Sequence, residues 1–240
     1  MSFLPLLLIA LAISAYSTYT GVKDYAELIR TKERSRLYLR WISQSWLIFA
    51  LPAATLLLLA GHIHYLFEPI ARSDSSAFIS LSGNSEHDTS VIIGVVVGLL
   101  VAAFIVGWRV KRSLKKRREA PQEALIPTTT KERWLAVGMS VTAGITEELF
   151  FRAMLPALLF LVTGNAAVSM GLALLVFGIE HLYGGWKVVL ATTVIGWVFL
   201  KLFMSSGTIF VPMAVHALLD INGLIVMPYL AKKGIFGKRA

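Results

Sequence analysis

Two adjacent carboxylates and a guanidinium, Glu147, Glu148 and Arg152, stand inside an apolar run from Trp134 to Val162. Ionisable side chains at such depth cost roughly 2.5–3.5 kcal/mol each on insertion scales, so they are expected to serve function or to neutralise one another. Helical spacing gives the two acids different parts. Glu148 and Arg152 are four apart on one face, acid before base, which is the favourable order for an ion pair. Glu147 is rotated by about 100° and has Phe151 four residues on, so no cation of its own helix faces it. The reading is a structural Glu148–Arg152 pair and a Glu147 carboxylate left free to take and return a proton.

Two more motifs carry polar groups into apolar runs. Phe177 precedes His181 by one helical turn, and His216 precedes Asp220 by the same interval. Imidazole can polarise a water or donate to a developing oxyanion, and such a donor is worth most where water is excluded. A single intramembrane His is often only a hydrogen-bonded packing residue, and Asp220 has the alternative role of fixing the ring of His216. Packing does not, however, require two His and two Glu to converge. Facing inward, Glu147, Glu148, Arg152, His181, His216 and Asp220 form one polar cluster. Glu180 and Asn222 are also polar but lie off these stripes.

The elements that must position this cluster are membrane helices. The 240 residues are 56% hydrophobic and 15% charged, with a mean hydropathy of +0.70, which excludes an ordinary soluble domain. The net charge of +9 is confined to segments between apolar runs, where it reads as topology rather than as a nucleic-acid surface. With no cysteine, thiolate catalysis and disulfides are excluded. Seven stretches are long enough to cross a bilayer: roughly 3–20, 42–61, 90–108, 134–162, 166–183, 186–204 and 208–230. Pro156 is expected to tilt, kink or break the fourth, which would make eight. The first run has no Lys or Arg before it and no clear cleavage site after it, so it reads as a retained helix.

Positive residues cluster at Lys23–Arg40, Arg109–Arg133 and the tail from Lys232, whereas the connection 62–89 has only Arg72. The N-terminus is therefore expected outside and the C-terminus in the cytoplasm. The run Arg109–Arg118 reads as a topological anchor attracting anionic lipid, or as a docking surface for an acidic partner. Prolines and a Thr triplet at 121–130 mark a linker. The organisation expected is an N-terminal three-span region (1–120), a linker or interfacial segment (121–133), a four-span region carrying the cluster (134–230) and a basic tail (231–240).

Glu-Glu-x-x-x-Arg at 147–152, Phe-x-x-x-His at 177–181 and His-x-x-x-Asp at 216–220, in that order on separate hydrophobic helices, resemble the CPBP family. This family includes the CAAX prenyl endopeptidases related to the Ras-converting enzyme and the bacterial Abi-type membrane proteases. Each motif is weak alone, and the ordered set is specific. The resemblance covers about 134–229. It implies that Glu147 and His181 activate a water and that His216 and Asp220 stabilise the oxyanion, with Glu148, Arg152 and Phe177 in support. Eukaryotic CAAX enzymes of the family have Asn at the last position. An ionised Asp cannot donate a hydrogen bond, so Asp220 must be protonated, act through His216, or share in binding a metal.

The resemblance leaves metal use open. The favoured reading has no cofactor, and the alternative is a catalytic zinc on Glu147, His181 and His216 with one open position. Neither a His-Glu-x-x-His nor a Gly-x-Ser-Gly or Gly-x-Gly-Asp pattern is present. Rise per residue sets His181 roughly 10 Å nearer the cytoplasm than Glu147 and His216, a gap for tilt or a water cavity to close.

The expectation is an all-α, polytopic, seven-span endopeptidase. It would cut a membrane-associated peptide or protein, of the CAAX-type prenylated class where such substrates exist, from a bacterial inner membrane. Its partners are that substrate and the bilayer, with anionic lipids at the basic loops and no nucleic acid. A non-proteolytic scaffold or bacteriocin-immunity protein of the same fold, and a transporter using the charges as a relay, are the alternatives.

Overall fold

The computed structural model describes residues 3–70 and 121–233, and among them the chain is helical without strands. Five helices are long and apolar enough to cross a membrane: α1 (Leu4–Thr31), α2 (Arg34–Leu59), α4 (Ala166–Gly184, its last turn a 3-10 turn from His181), α5 (Trp186–Ser206) and α6 (Phe210–Lys232). Between α2 and α4 lies α3, residues 130–163. It is about 50 Å long at about 1.5 Å per residue, and its apolar run is interrupted by Glu147, Glu148 and Arg152. Six of the seven expected stretches thus fall on helices. The stretch 90–108 and the basic run Arg109–Arg118 lie outside the described residues.

The first two boundaries need correction. The helix expected over 3–20 runs on to Thr31, and the one expected at 42 begins at Arg34. The basic segment 23–40 is therefore a helical hairpin closing on Lys32, which adopts the left-handed conformation (φ 59°) while its N–H caps Leu28 O. Hydropathy ends where the apolar residues end, but the helices continue because their charged ends pair. Arg40 bonds the buried Asp24 and reaches Glu27 at 3.5 Å, and Arg36 lies 3.7 Å from Glu27.

Three helices contain a π-turn, at Trp46–Ala50, Leu149–Met154 and Asn222–Val226. Each is followed within two residues by a proline: Pro52, Pro156 and Pro228. Proline offers no N–H and its ring collides with the carbonyl four residues back, so a wider turn just before it relieves both. The kink expected at Pro156 is realised as this π-turn, and α3 continues to Gly164, which caps it in the left-handed conformation (φ 66°).

Helix α3 is central, packing against α1, α2, α4, α5 and α6, with its most extensive contacts on α2 and α6. A Cβ on Gly144 would lie 2.8 Å from Met213 O and 2.9 Å from Ala217 N, so glycine sets the closest approach of α3 to α6. The start of α3 is fixed by a capping box in which the Thr129 side chain accepts from Glu132 N, while the Glu132 carboxylate accepts from Thr128 and Thr129. Burial opposes the charged form of Glu132, but these donors outweigh it and hold the carboxyl below its usual range. The 3-10 turn Pro121–Leu125 docks on α2, with Arg34 Nε donating to Ala124 O (2.8 Å) and the Tyr38 hydroxyl donating to Leu125 O.

The outer surface is apolar. On α5, Gly196, Phe199, Leu200 and Phe203 are buried, while Leu190, Val194 and Trp197 face outward. Leu47, Leu51, Leu58 and Leu59 do the same on α2. Exposed aliphatic belts around a core that holds charges suit a lipid surround. The chain is an integral membrane protein by this pattern and by its five apolar helices.

Candidate active site

The polar face of α3 repeats every four residues, through Ser140, Gly144, Glu148 and Arg152, and all four are buried. Gly144 admits α6 at one turn, which brings His216 opposite Glu148 at the next. Glu148 is fully buried and joins two partners. His216 Nδ1 donates to its Oε1 at 2.7 Å, and Arg152 Nε stands 3.2 Å from its Oε2. The spacing-based pair Glu148–Arg152 is thus present, and sequence reasoning missed its third member, His216.

The Arg152 guanidinium, 1% exposed, has no hydrogen-bond partner among the described residues beyond this ion pair. Its charge is faced instead by aromatic rings, Phe177 at 3.8 Å and Phe199 at 5.3 Å from Cζ. Gly196 makes room for this, since a Cβ there would lie 2.8 Å from Phe177 Cδ1 and 3.1 Å from Arg152 Nη2. Phe199 also stacks on the His216 ring at 4.9 Å and 23°. Neither Gly196 nor Phe199 was marked by spacing. Gly144 had a signal, a small residue one turn before Glu148 on the same stripe.

The two imidazoles are each held by Nδ1. In His216 it donates to Glu148, leaving Nε2 3.8 Å from Asp220 Oδ2. In His181, which leaves the α-helix for the 3-10 turn His181–Gly184, Nδ1 lies 3.0 Å from Phe177 O. A carbonyl only accepts, so the proton is on Nδ1 and the Nε2 lone pair is free. Phe177 bridges the two rings, 4.9 Å from His181 and 6.4 Å from His216 between centroids, across the depth gap expected from the span boundaries.

Glu147 lies on the next face of α3, half-buried, with Oε2 buried and without a hydrogen-bond partner. Asp220 is partly open, its side chain 37% exposed, whereas that of His216 is 7% exposed. The geometry therefore offers a carboxylate with a free oxygen, an imidazole with a free lone pair and a carboxylate-anchored imidazole beside the half-exposed Asp220. Together these are the components of water-mediated hydrolysis.

Glu180, expected off these stripes, faces α1. Its carboxylate is buried and accepts from the Ser14 hydroxyl of α1, fastening α4 to the N-terminal helix. Asn222 opens the π-turn of α6. Among the described residues no three His, Asp or Glu side chains converge as metal ligands do. The alternative zinc set Glu147, His181 and His216 does not fit that requirement, and no step is derived through a metal.

Residues 129–222 match the family model described as Type II CAAX prenyl endopeptidase Rce1-like. The match starts at the N-cap of α3, ends two residues past Asp220 and contains every residue of the cluster. Neither the curated proteins nor the solved structures yielded a match to the chain.

Proposed function

We propose that this chain, which carries a region of the Rce1-like CAAX prenyl endopeptidase family over residues 129–222, is a metal-free intramembrane endopeptidase using Glu147 as its general base. The observation that carries the reading is the division of labour between the neighbouring acids. Both oxygens of Glu148 are engaged, Oε1 by the His216 hydrogen bond and Oε2 by the Arg152 ion pair, whereas the buried Oε2 of Glu147 has no hydrogen-bond partner among the described residues.

A water held between Glu147 and His181 Nε2 attacks the scissile carbonyl carbon as Glu147 takes its proton. The oxyanion is met by His216, whose Nδ1–H is fixed on Glu148 as a triad carboxylate fixes its histidine. A ring that also donates from Nε2 is the imidazolium, and Asp220 beside that nitrogen counters its charge. Glu147 then returns the proton to the leaving amine, so no covalent intermediate forms. The substrate is a membrane-associated peptide or protein that reaches the Asp220 edge, and the family description adds CAAX-type prenylated proteins to that class. Positive-inside asymmetry supports a cytoplasmic Lys32 hairpin and basic tail, and a bacterial inner membrane suits the reading.

The test is cleavage of a quenched membrane-peptide library by protein in proteoliposomes, with products identified by mass. Wild type is expected to cut and Glu147→Ala, matched in thermal melt, is not. Equal cleavage by both, or none by well-folded wild type, would favour a scaffold of the same fold.

A further inference from the structure

His181 sits where α4 stops being an α-helix, and its ring depends on how that last turn is held. Its backbone N–H bonds Gly178 O, three residues back, and the Phe177 carbonyl, four back, is taken instead by the ring Nδ1 at 3.0 Å. Tightening of the turn and placement of the imidazole are therefore one event, and whatever fixes the turn fixes the ring. Helix α1 holds the turn on both sides of His181. The Ser14 hydroxyl donates to Glu180 Oε1 at 2.5 Å, both side chains being buried. Gly21 lies against Tyr183, a Cβ there coming within 3.9 Å of the ring Cδ1, and Tyr25 meets the same ring at 5.5 Å between centroids. Ser14, Gly21 and Tyr25 are seven and four residues apart, which puts them on one stripe of α1. Of these contacts only the Ser14–Glu180 bond is directional, and a buried carboxyl is a costly way to join two helices that apolar packing can join.

We infer that Ser14 and Glu180 are positioning residues for His181: their hydrogen bond sets the last turn of α4 and so aims the Nε2 lone pair at the water shared with Glu147. The inference rests on the proteolytic reading above. Neither side chain touches the substrate, and no covalent bond is made or broken at either. It gives α1, which lies outside the matched residues 129–222, a part in the reaction.

Ser14→Ala removes the donor, and Ser14→Thr keeps a hydroxyl at the same position. Both are compared with wild type in proteoliposomes on a peptide that wild type cleaves, with Glu147→Gln beside them. The kcat of Ser14→Ala is expected to fall about 10- to 100-fold, the scale of an ångström-sized misplacement of a catalytic group, with KM within about threefold. Ser14→Thr should stay within about threefold of wild type in both constants. Nitrogen-15 imidazole spectra read the ring itself. The His181 signals, identified by their loss in His181→Gln, should move in Ser14→Ala, while those of His216, held by Glu148, should not. A role confined to stability would lower the melting temperature and leave kcat and the His181 signals alone, which overturns the inference. Slow turnover with unmoved His181 signals overturns it too, since the effect then runs through another group. Should Ser14→Ala not fold, Glu180→Asp, which draws the carboxyl back from α1, is read in its place with the same expectations. If Glu147→Gln is inactive while Ser14→Ala turns over as wild type, the positioning inference alone falls. If Glu147→Gln is fully active, the proteolytic reading has failed and the inference falls with it.

Discussion

Removing the Glu148 carboxylate should cost stability and activity for separable reasons. Glu148→Leu leaves the Arg152 guanidinium, 1% exposed, without the carboxylate it pairs with at 3.2 Å. Stranding one member of a buried pair costs about 3–5 kcal/mol. The rings of Phe177 and Phe199 remain and offset about 0.5–2 kcal/mol of that, so a net loss of about 1–4.5 kcal/mol is expected. Replacing both partners, Glu148→Leu with Arg152→Met, removes the stranded charge and should bring stability back to within about 1 kcal/mol of wild type, as apolar replacement of buried pairs often does. Activity should not return, because His216 Nδ1 has still lost its acceptor at 2.7 Å. The assay is reversible unfolding in mixed micelles across the two single variants and the double variant, with turnover measured on the same preparations. A double variant as unstable as Glu148→Leu would refute the pairing argument. A double variant that recovers turnover would refute the assignment of Glu148 as the anchor of His216.

Four further outcomes follow from the same geometry. Gly144→Ala drives a Cβ to 2.8 Å from a backbone oxygen of α6, so it should destabilise by about 1–3 kcal/mol and reduce turnover by displacing His216, as measured by melt and kcat. Thr129→Ala removes the cap of α3 and should cost about 1 kcal/mol while leaving kcat intact. The Glu132 carboxyl is held below its usual range when folded, so its stabilisation is complete above the unfolded value and is lost as pH falls through the folded one. Glu132→Gln should accordingly flatten the acid limb of a stability–pH profile. Prolonged treatment with a zinc chelator should leave turnover unchanged, and loss restored by added zinc would contradict the metal-free mechanism.

The cluster was readable in the sequence because membrane burial makes charge conspicuous: a Glu-Glu-x-x-x-Arg set among leucines has few explanations, and i,i+4 spacing separates a paired acid from a free one. The partner across the helices was not readable. Glu148 finds His216 only because Gly144 lets α3 approach α6, and a glycine's effect on a distant helix has no periodicity of its own. Phe199 and Gly196 were silent for a related reason, since in an apolar helix the residue that faces a guanidinium looks like the residue that faces lipid. Hydropathy reads the hairpin 23–40 as a loop because it measures immersion rather than helicity, and Asp24–Arg40 pairing sustains helix where apolar character has ended. Glu180 was set aside because its stripe differs from that of Phe177 and His181, yet Ser14 of another helix meets it there.

The most direct test of the central claim is single-turnover kinetics of Glu147→Gln beside wild type on one cleaved membrane peptide, with matched melts and with chelator present throughout. The account predicts a fall of about 10²–10⁴ in the chemical step, the usual contribution of a positioned general base, with peptide binding retained. A Glu147→Gln enzyme that cleaves at the wild-type rate would contradict it.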